Sequence, residues 1–237
     1  MASTIDWSAR LRRLDADDWA STLEGASGLP GPRANLDLVV AAARIAGASE
    51  IDALVRAGGE FATMCAAAAI GRDAGAPDSE KRARRLAQDP RWRVREGVVI
   101  GLQLWGDVDP AAMAELVAAW ATAASPLVRR AAVAAICEPR LLRSSSAAAR
   151  AVEICRQATD TLRALPTPGR RDPDVRTLRQ CLGYAWSVAV AADPAPGLRA
   201  FHALSSDDPD VAWIIRENRR KKRLLSLEAV TPHQEQE

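Results

Sequence analysis

Aromatic residues are scarce in this chain: seven Trp, two Phe and one Tyr make up 4% of 237 residues. Sheets draw on aromatic and β-branched side chains, so little here favours a β fold. Lysine is scarcer still, with three residues among the 32 basic ones, and histidine occurs twice. The four cysteines (Cys65, Cys137, Cys155, Cys181) are scattered, with no C-x-x-C and no histidine at ligand spacing. They read as small buried thiols in a reducing compartment rather than as a zinc site or disulfide framework. No apolar run approaches the roughly 20 residues that span a bilayer, and Met1-Ala2-Ser3-Thr4-Ile5-Asp6-Trp7 does not read as a secretory leader. The expectation is therefore a cytoplasmic protein with no membrane contact. Glycine-rich phosphate loops and G-x-S-x-G elbows are absent as well, so no cofactor and no metal are expected.

Alanine is present in excess, with 49 residues. It is the best helix former and lets helices pack closely. With 48% hydrophobic residues the chain can bury a core and is too apolar for disorder. A helical protein follows, and one pattern organises it. Asp89-Pro90-Arg91-Trp92-Arg93-Val94-Arg95, Ser125-Pro126-Leu127-Val128-Arg129, Asp172-Pro173-Asp174-Val175-Arg176 and Asp208-Pro209-Asp210-Val211-Ala212 each lead into an apolar-rich segment. Asp or Ser caps the incoming helix through its free N–H groups. Pro takes the first helical position, where a missing N–H costs nothing. The Val opens the buried stripe. Spacings of 34, 47 and 36 between these valines are those of a stacked helix-pair array. Partner helices are expected over 79–88, 110–123, 146–165 and 195–204, the second carrying a stripe of Met113, Leu116, Val117 and Trp120. Upstream, 50–57 and 60–71 make another pair joined at Gly58-Gly59, preceded by a helix over 33–46.

These recurring Asp-Pro-x-Val-Arg turns resemble HEAT repeats over roughly residues 50–225. The final block, from Asp208 through Trp213-Ile214-Ile215-Arg216-Glu217-Asn218 to Lys221-Lys222-Arg223-Leu224, is similar to the last repeat of bacterial HEAT-like proteins. The second copy departs with Ser125 for Asp, the fourth with Ala212 for Arg. The resemblance implies an all-α, right-handed α-α superhelix of about five helix pairs with an N-terminal helical cap. The boundaries it suggests are a cap over 1–46, an array over 47–225 and a disordered tail over 226–237. It also implies that the recurring Arg95, Arg129 and Arg176 pair with turn aspartates as part of the stack, the alternative being a basic ladder facing a ligand.

Charge is unevenly distributed. Six bases and one acid over 216–223 give a surplus of five, which on a total of +2 leaves the remainder at −3. Arg216, Arg219, Arg220 and Arg223 fall at i, i+3, i+4 and i+7, one face of a continuous helix. Such a stripe can neutralise phosphates or can be a solvated end-cap. Arg179, Trp186 and Trp213 lie in neighbouring repeats and complete the candidate surface, since Trp beside Arg can stack on nucleic acid. Each tryptophan otherwise reads as core.

Some HEAT-like proteins are DNA glycosylases that excise alkylated bases, and Leu104-Trp105-Gly106-Asp107-Val108-Asp109 is faintly similar to them. That similarity implies Trp105 lining a site and Asp107 or Asp109 supplying a carboxylate, although Gly106 interrupts the expected Trp-Asp adjacency. The same residues also read as a turn capped by Asp109 before Pro110. The expectation from sequence is thus a non-catalytic scaffold for a protein or duplex DNA, with a DNA-binding protein of the alkylation-repair type as the alternative. Oligomeric state is open.

Overall fold

The computed structural model describes residues 5–230, and every regular element among them is helical. The chain forms two compact units that part at Met113 and Ala114.

The first unit contains α1 (Trp7–Leu11), α2 (Trp19–Gly25), α3 (Leu36–Ile45), α4 (Ala48–Ala57), α5 (Glu60–Arg72), α6 (Pro77–Leu86) and α7 (Trp92–Gly106). At its centre is α5, where every residue from Phe61 to Gly71 is buried. The run Phe61-Ala62-Thr63-Met64-Cys65-Ala66-Ala67-Ala68-Ala69-Ile70-Gly71 has no polar face to offer solvent, so it packs on all sides. It lies against α3 and α7 and pairs with α4, while α6 packs on both α5 and α7. The α4–α5 turn is closed by Gly58, left-handed at φ 72°, a conformation that only glycine adopts without strain. No side chain caps α5 from its own N-cap, Gly59; instead Glu24 of α2 accepts from the Ala62 N–H at 3.1 Å. The N-terminal helices are thereby built into this unit.

Contact between α5 and α7 is backbone to backbone. A β-carbon at Gly97 would overlap the Met64 carbonyl, one at Gly101 the Ala68 carbonyl, and one at Gly71 would lie 2.7 Å from the Val98 oxygen. Gly97 and Gly101 of α7, one turn apart, and Gly71 facing Gly101 from α5 make the seam, and larger residues would force the helices apart.

Residue 113 lies within α8 (Pro110–Ala121). The second unit continues with α9 (Pro126–Ile136), α10 (Ser145–Arg163), α11 (Pro173–Ala192), α12 (Pro194–His202), α13 (Pro209–Arg219) and α14 (Lys222–Val230). Here α11 is central: it lies between α9 and α13, with α10, α12 and α14 packed on it. The long spacing between the second and third turns is filled by the 19-residue α10 and short 3-10 turns on either side.

The turn chemistry holds with two exceptions. Asp172 accepts from the Asp174 N–H, and Asp208 accepts from those of Asp210 and Val211. Ser125 makes no side-chain cap. At the first copy the helix begins at Trp92, two residues after Pro90, because Asp89 binds both the backbone N–H and the guanidinium of Arg91. Residues 226–230, expected in a disordered tail, are helical in α14; 231–237 lie outside the described residues.

Gly101→Ala tests the α5–α7 seam. It should lower unfolding free energy by about 1–3 kcal/mol, the cost typical of overpacking. Gly25→Ala, at the end of α2 with nothing within 4 Å of the new carbon, should change it by less than about 1 kcal/mol. Urea denaturation of the two variants makes the comparison.

Candidate surface around Tyr184

The arginine after the repeat valine holds backbone. Arg95 donates to the carbonyls of Asp89 (2.7 Å) and Pro90 (3.0 Å). Arg129 occupies the same register on the carbonyls of Ala123 and Ala124 (3.3 Å for the second) and is 8% exposed. Each satisfies acceptors in the turn ahead of its own helix, where the preceding helix leaves carbonyls unpaired. The partners are thus carbonyl oxygens rather than the turn carboxylates. Desolvation lowers the pKa of Arg129, which stands among apolar neighbours. Arg176 is exposed, and Arg170 acts in its place, donating to the Arg163 and Leu165 carbonyls and to the carboxylates of Asp208 (2.6 Å) and Asp210 (3.3 Å).

The tryptophans proposed from sequence as stacking platforms are packed. Trp186 is fully buried, donates to the Thr159 hydroxyl at 3.1 Å and lies 5.9 Å from the Phe201 ring. Trp105 is half-buried against Gly75 and Trp213 half-buried against Gly183, where each indole occupies space that a glycine leaves open. Asp109 is exposed and accepts from the Ala112 N–H at 3.0 Å, as a cap at the start of α8. Asp107 is an exposed residue just past the end of α7.

Arg179 lies over the Trp213 ring, 4.9 Å from its centroid, and donates to Asp210 at 2.5 Å. Asp210 is 8% exposed and shared with Arg170, so α11, α13 and the turn before α11 are joined at one carboxylate.

The four arginines expected on one helical face are divided between two helices. α13 stops at Arg219, and the chain turns through Arg220 and Lys221 before α14 begins. Two side chains account for the turn. Asn218 is buried, accepting from the Ser187 N–H at 2.9 Å and donating to the Leu182 and Ile214 carbonyls, both at 2.8 Å. Leu224 is fully buried as well, which a straight continuation of α13 would not achieve. Arg216 and Arg220 share a face with Trp213 and Glu217. Arg219 reaches Glu228 of α14 (3.2 Å), which also bonds to His202 of α12, while Arg220 pairs with Glu217 (3.2 Å). Arg223 of α14 donates to the Tyr184 hydroxyl of α11 at 2.7 Å.

Tyr184 is therefore the centre of the surface. It is 49% exposed, with the Arg223 guanidinium 5.1 Å and the Lys221 ammonium 5.7 Å from its ring centroid. Sequence reasoning passed over it, as it did Asn218, Glu228 and Asp210. That it is the chain's sole tyrosine was the one signal available. A groove of about 270 Å³ runs between α10, α12 and the start of α13. Its Arg156 and Arg163 both pair with Asp160. Among the described residues no group of His, Cys, Asp and Glu could hold a metal ion, and no helix is long and apolar enough to cross a membrane.

The architecture so far is that of an all-α protein built from repeated helix pairs. Residues 63–137 match the family model for HEAT repeats, so this stretch of the helical array carries HEAT repeats. No curated protein matches it. The crystal structure of an engineered protein aligns over 95% of this chain and 100% of its own, at 16% identity and a TM-score of 0.36, a likeness too low to bear on fold or function.

The turn carboxylates make stability depend on acid. At Asp208, burial by itself raises the pKa, but the Arg170 hydrogen bond and the N–H groups of Val211 and Asp210 outweigh it and hold the group below its ordinary 3.8. Asp89 is lowered chiefly by its hydrogen bond to Arg91. A depressed folded-state pKa gives stability that is complete above the ordinary value and lost as pH falls through the depressed one. The urea midpoint should therefore drop on acidification from about pH 5 to about pH 2, and Asp208→Asn should reduce the size of that drop.

Proposed function

We propose that the chain is a non-catalytic scaffold whose helix pairs hold a binding surface for a protein partner. HEAT repeats are helical scaffolds of protein interaction, and the arrangement of charge supports that reading. Cations across the repeats serve the fold: Arg91 on Gly58 and Asp89, Arg93 on Glu60, Arg82 on Asp52, Arg150 on Glu115 and Arg170 on Asp208 join successive helix pairs within a unit. Against this background the surface around Tyr184 carries the observation that matters most. Among the described residues Arg216, Lys221, Lys222 and Arg223 have no carboxylate partner, and two of them, Lys221 and Arg223, stand over the half-exposed ring of Tyr184. Interfaces are enriched in Tyr and Arg, which combine apolar area with directed hydrogen bonds.

Nothing in the geometry favours the alkylation-repair alternative. Trp186 is inaccessible, Trp105 and Trp213 rest on glycines, and Asp109 is engaged as a cap. Incubation with duplex DNA carrying alkylated bases separates the two readings. The scaffold reading expects no base release. Release that Asp107→Asn or Asp109→Asn abolishes would replace it with the enzyme.

A further inference from the structure

We infer that the Tyr184 surface of α11, α13 and α14 docks an acidic protein segment, an assignment that rests on the scaffold reading above. Its chemistry is complementary to carboxylates. Arg216 and Arg223 can each take a carboxylate in two parallel hydrogen bonds, and Lys221 and Lys222 add point charges beside them. The Tyr184 hydroxyl accepts from Arg223, which leaves its own hydrogen to donate; among the described residues no acceptor takes it.

Three observations favour an acidic protein over nucleic acid. A surplus of five charges over 216–223 occupies only the end of α13 and the start of α14, while the rest of the chain carries −3 on a total of +2. Stacking of bases requires an open aromatic face, and here Lys221 and Arg223 stand over Tyr184 while Trp213 lies under Arg179. Carboxylates are also interleaved with the cations, Glu217 at Arg220 and Glu228 at Arg219. They set spaced positions for side-chain acids rather than a continuous track for phosphates.

The test is fluorescence anisotropy with a labelled decaglutamate peptide and a labelled DNA duplex of equal charge, titrated with the full chain at low and at near-physiological salt. Variants are Lys221→Glu/Arg223→Glu, the milder Lys221→Gln/Lys222→Gln, and Tyr184→Ala, with Lys81→Glu/Arg82→Glu on α6 as the control. Circular dichroism confirms that each is folded. The proposal expects salt-sensitive peptide binding that weakens about tenfold in the charge reversal and about twofold or more in each of the other two patch variants, with little change in the control. Equal loss in patch and control variants would overturn it as unspecific attraction. Tighter binding of the duplex than of the peptide would overturn it in favour of nucleic acid. Absence of peptide binding at low salt would overturn it too. In that event photo-cross-linking in cell extract distinguishes the failures. A partner retained by the reversal variant leaves the scaffold standing with its surface elsewhere, and no partner at all removes both readings.

Discussion

A missing β-carbon is the constraint on which most of this structure depends. Where Gly71, Gly97 and Gly101 meet, its absence brings the backbones of α5 and α7 into contact and fixes the first unit. At Gly75 and Gly183 its absence makes room for an indole, so Trp105 and Trp213 are lodged on glycines. Alanine extends the same economy of volume along both central helices. Close packing of this kind has one low-energy arrangement, since a methyl group added at the seam cannot be absorbed by rotation of a neighbour. The surface then inherits its rigidity from the core beneath it.

Electrostatics builds on that packing. Arginine is nearly the sole cation of the repeats, and its planar fork can hold a carbonyl and a carboxylate at once. Arg91 and Arg170 do so, each tying a turn to a neighbouring helix pair. At Tyr184 the cations Lys221 and Arg223 stand over an aromatic ring instead, where Asn218 turns the chain and brings α14 back onto α11. Exposed surface pairs contribute little to stability in any case. Cations left without carboxylates are therefore available to a partner at small cost to the fold.

The helix-pair order was legible in sequence because its signals are local. Asp208 and Asp172 cap helices two residues away, Gly58 closes a turn by its own φ, and the valines open buried stripes at fixed distance from a proline. What could not be read depends on residues far apart in the chain. Whether Trp213 stacks on a ligand or fills a gap is decided by Gly183, and for Trp105 by Gly75, each about thirty residues away. The break after Arg219 has no local sign, because Arg-Arg-Lys-Lys-Arg is a good helix former. The burial of Leu224 and the bonds of Asn218 to α11 impose it. The tie between the N-terminal helices and α5 was hidden for the same reason, since Glu24 reaches the Ala62 N–H across 38 positions.

Two adjacent residues separate scaffold from surface, and their relative stability is the most direct measure of the account. Gly183 is buried beneath the Trp213 ring, while Tyr184 stands half-exposed among cations. Chemical denaturation of the single variants should show Gly183→Ala losing about 1–3 kcal/mol through overpacking. Tyr184→Ala should lose less than about 1 kcal/mol, as a surface change does. The reverse order, with Tyr184 holding the fold and Gly183 replaceable, would contradict the division between core and surface.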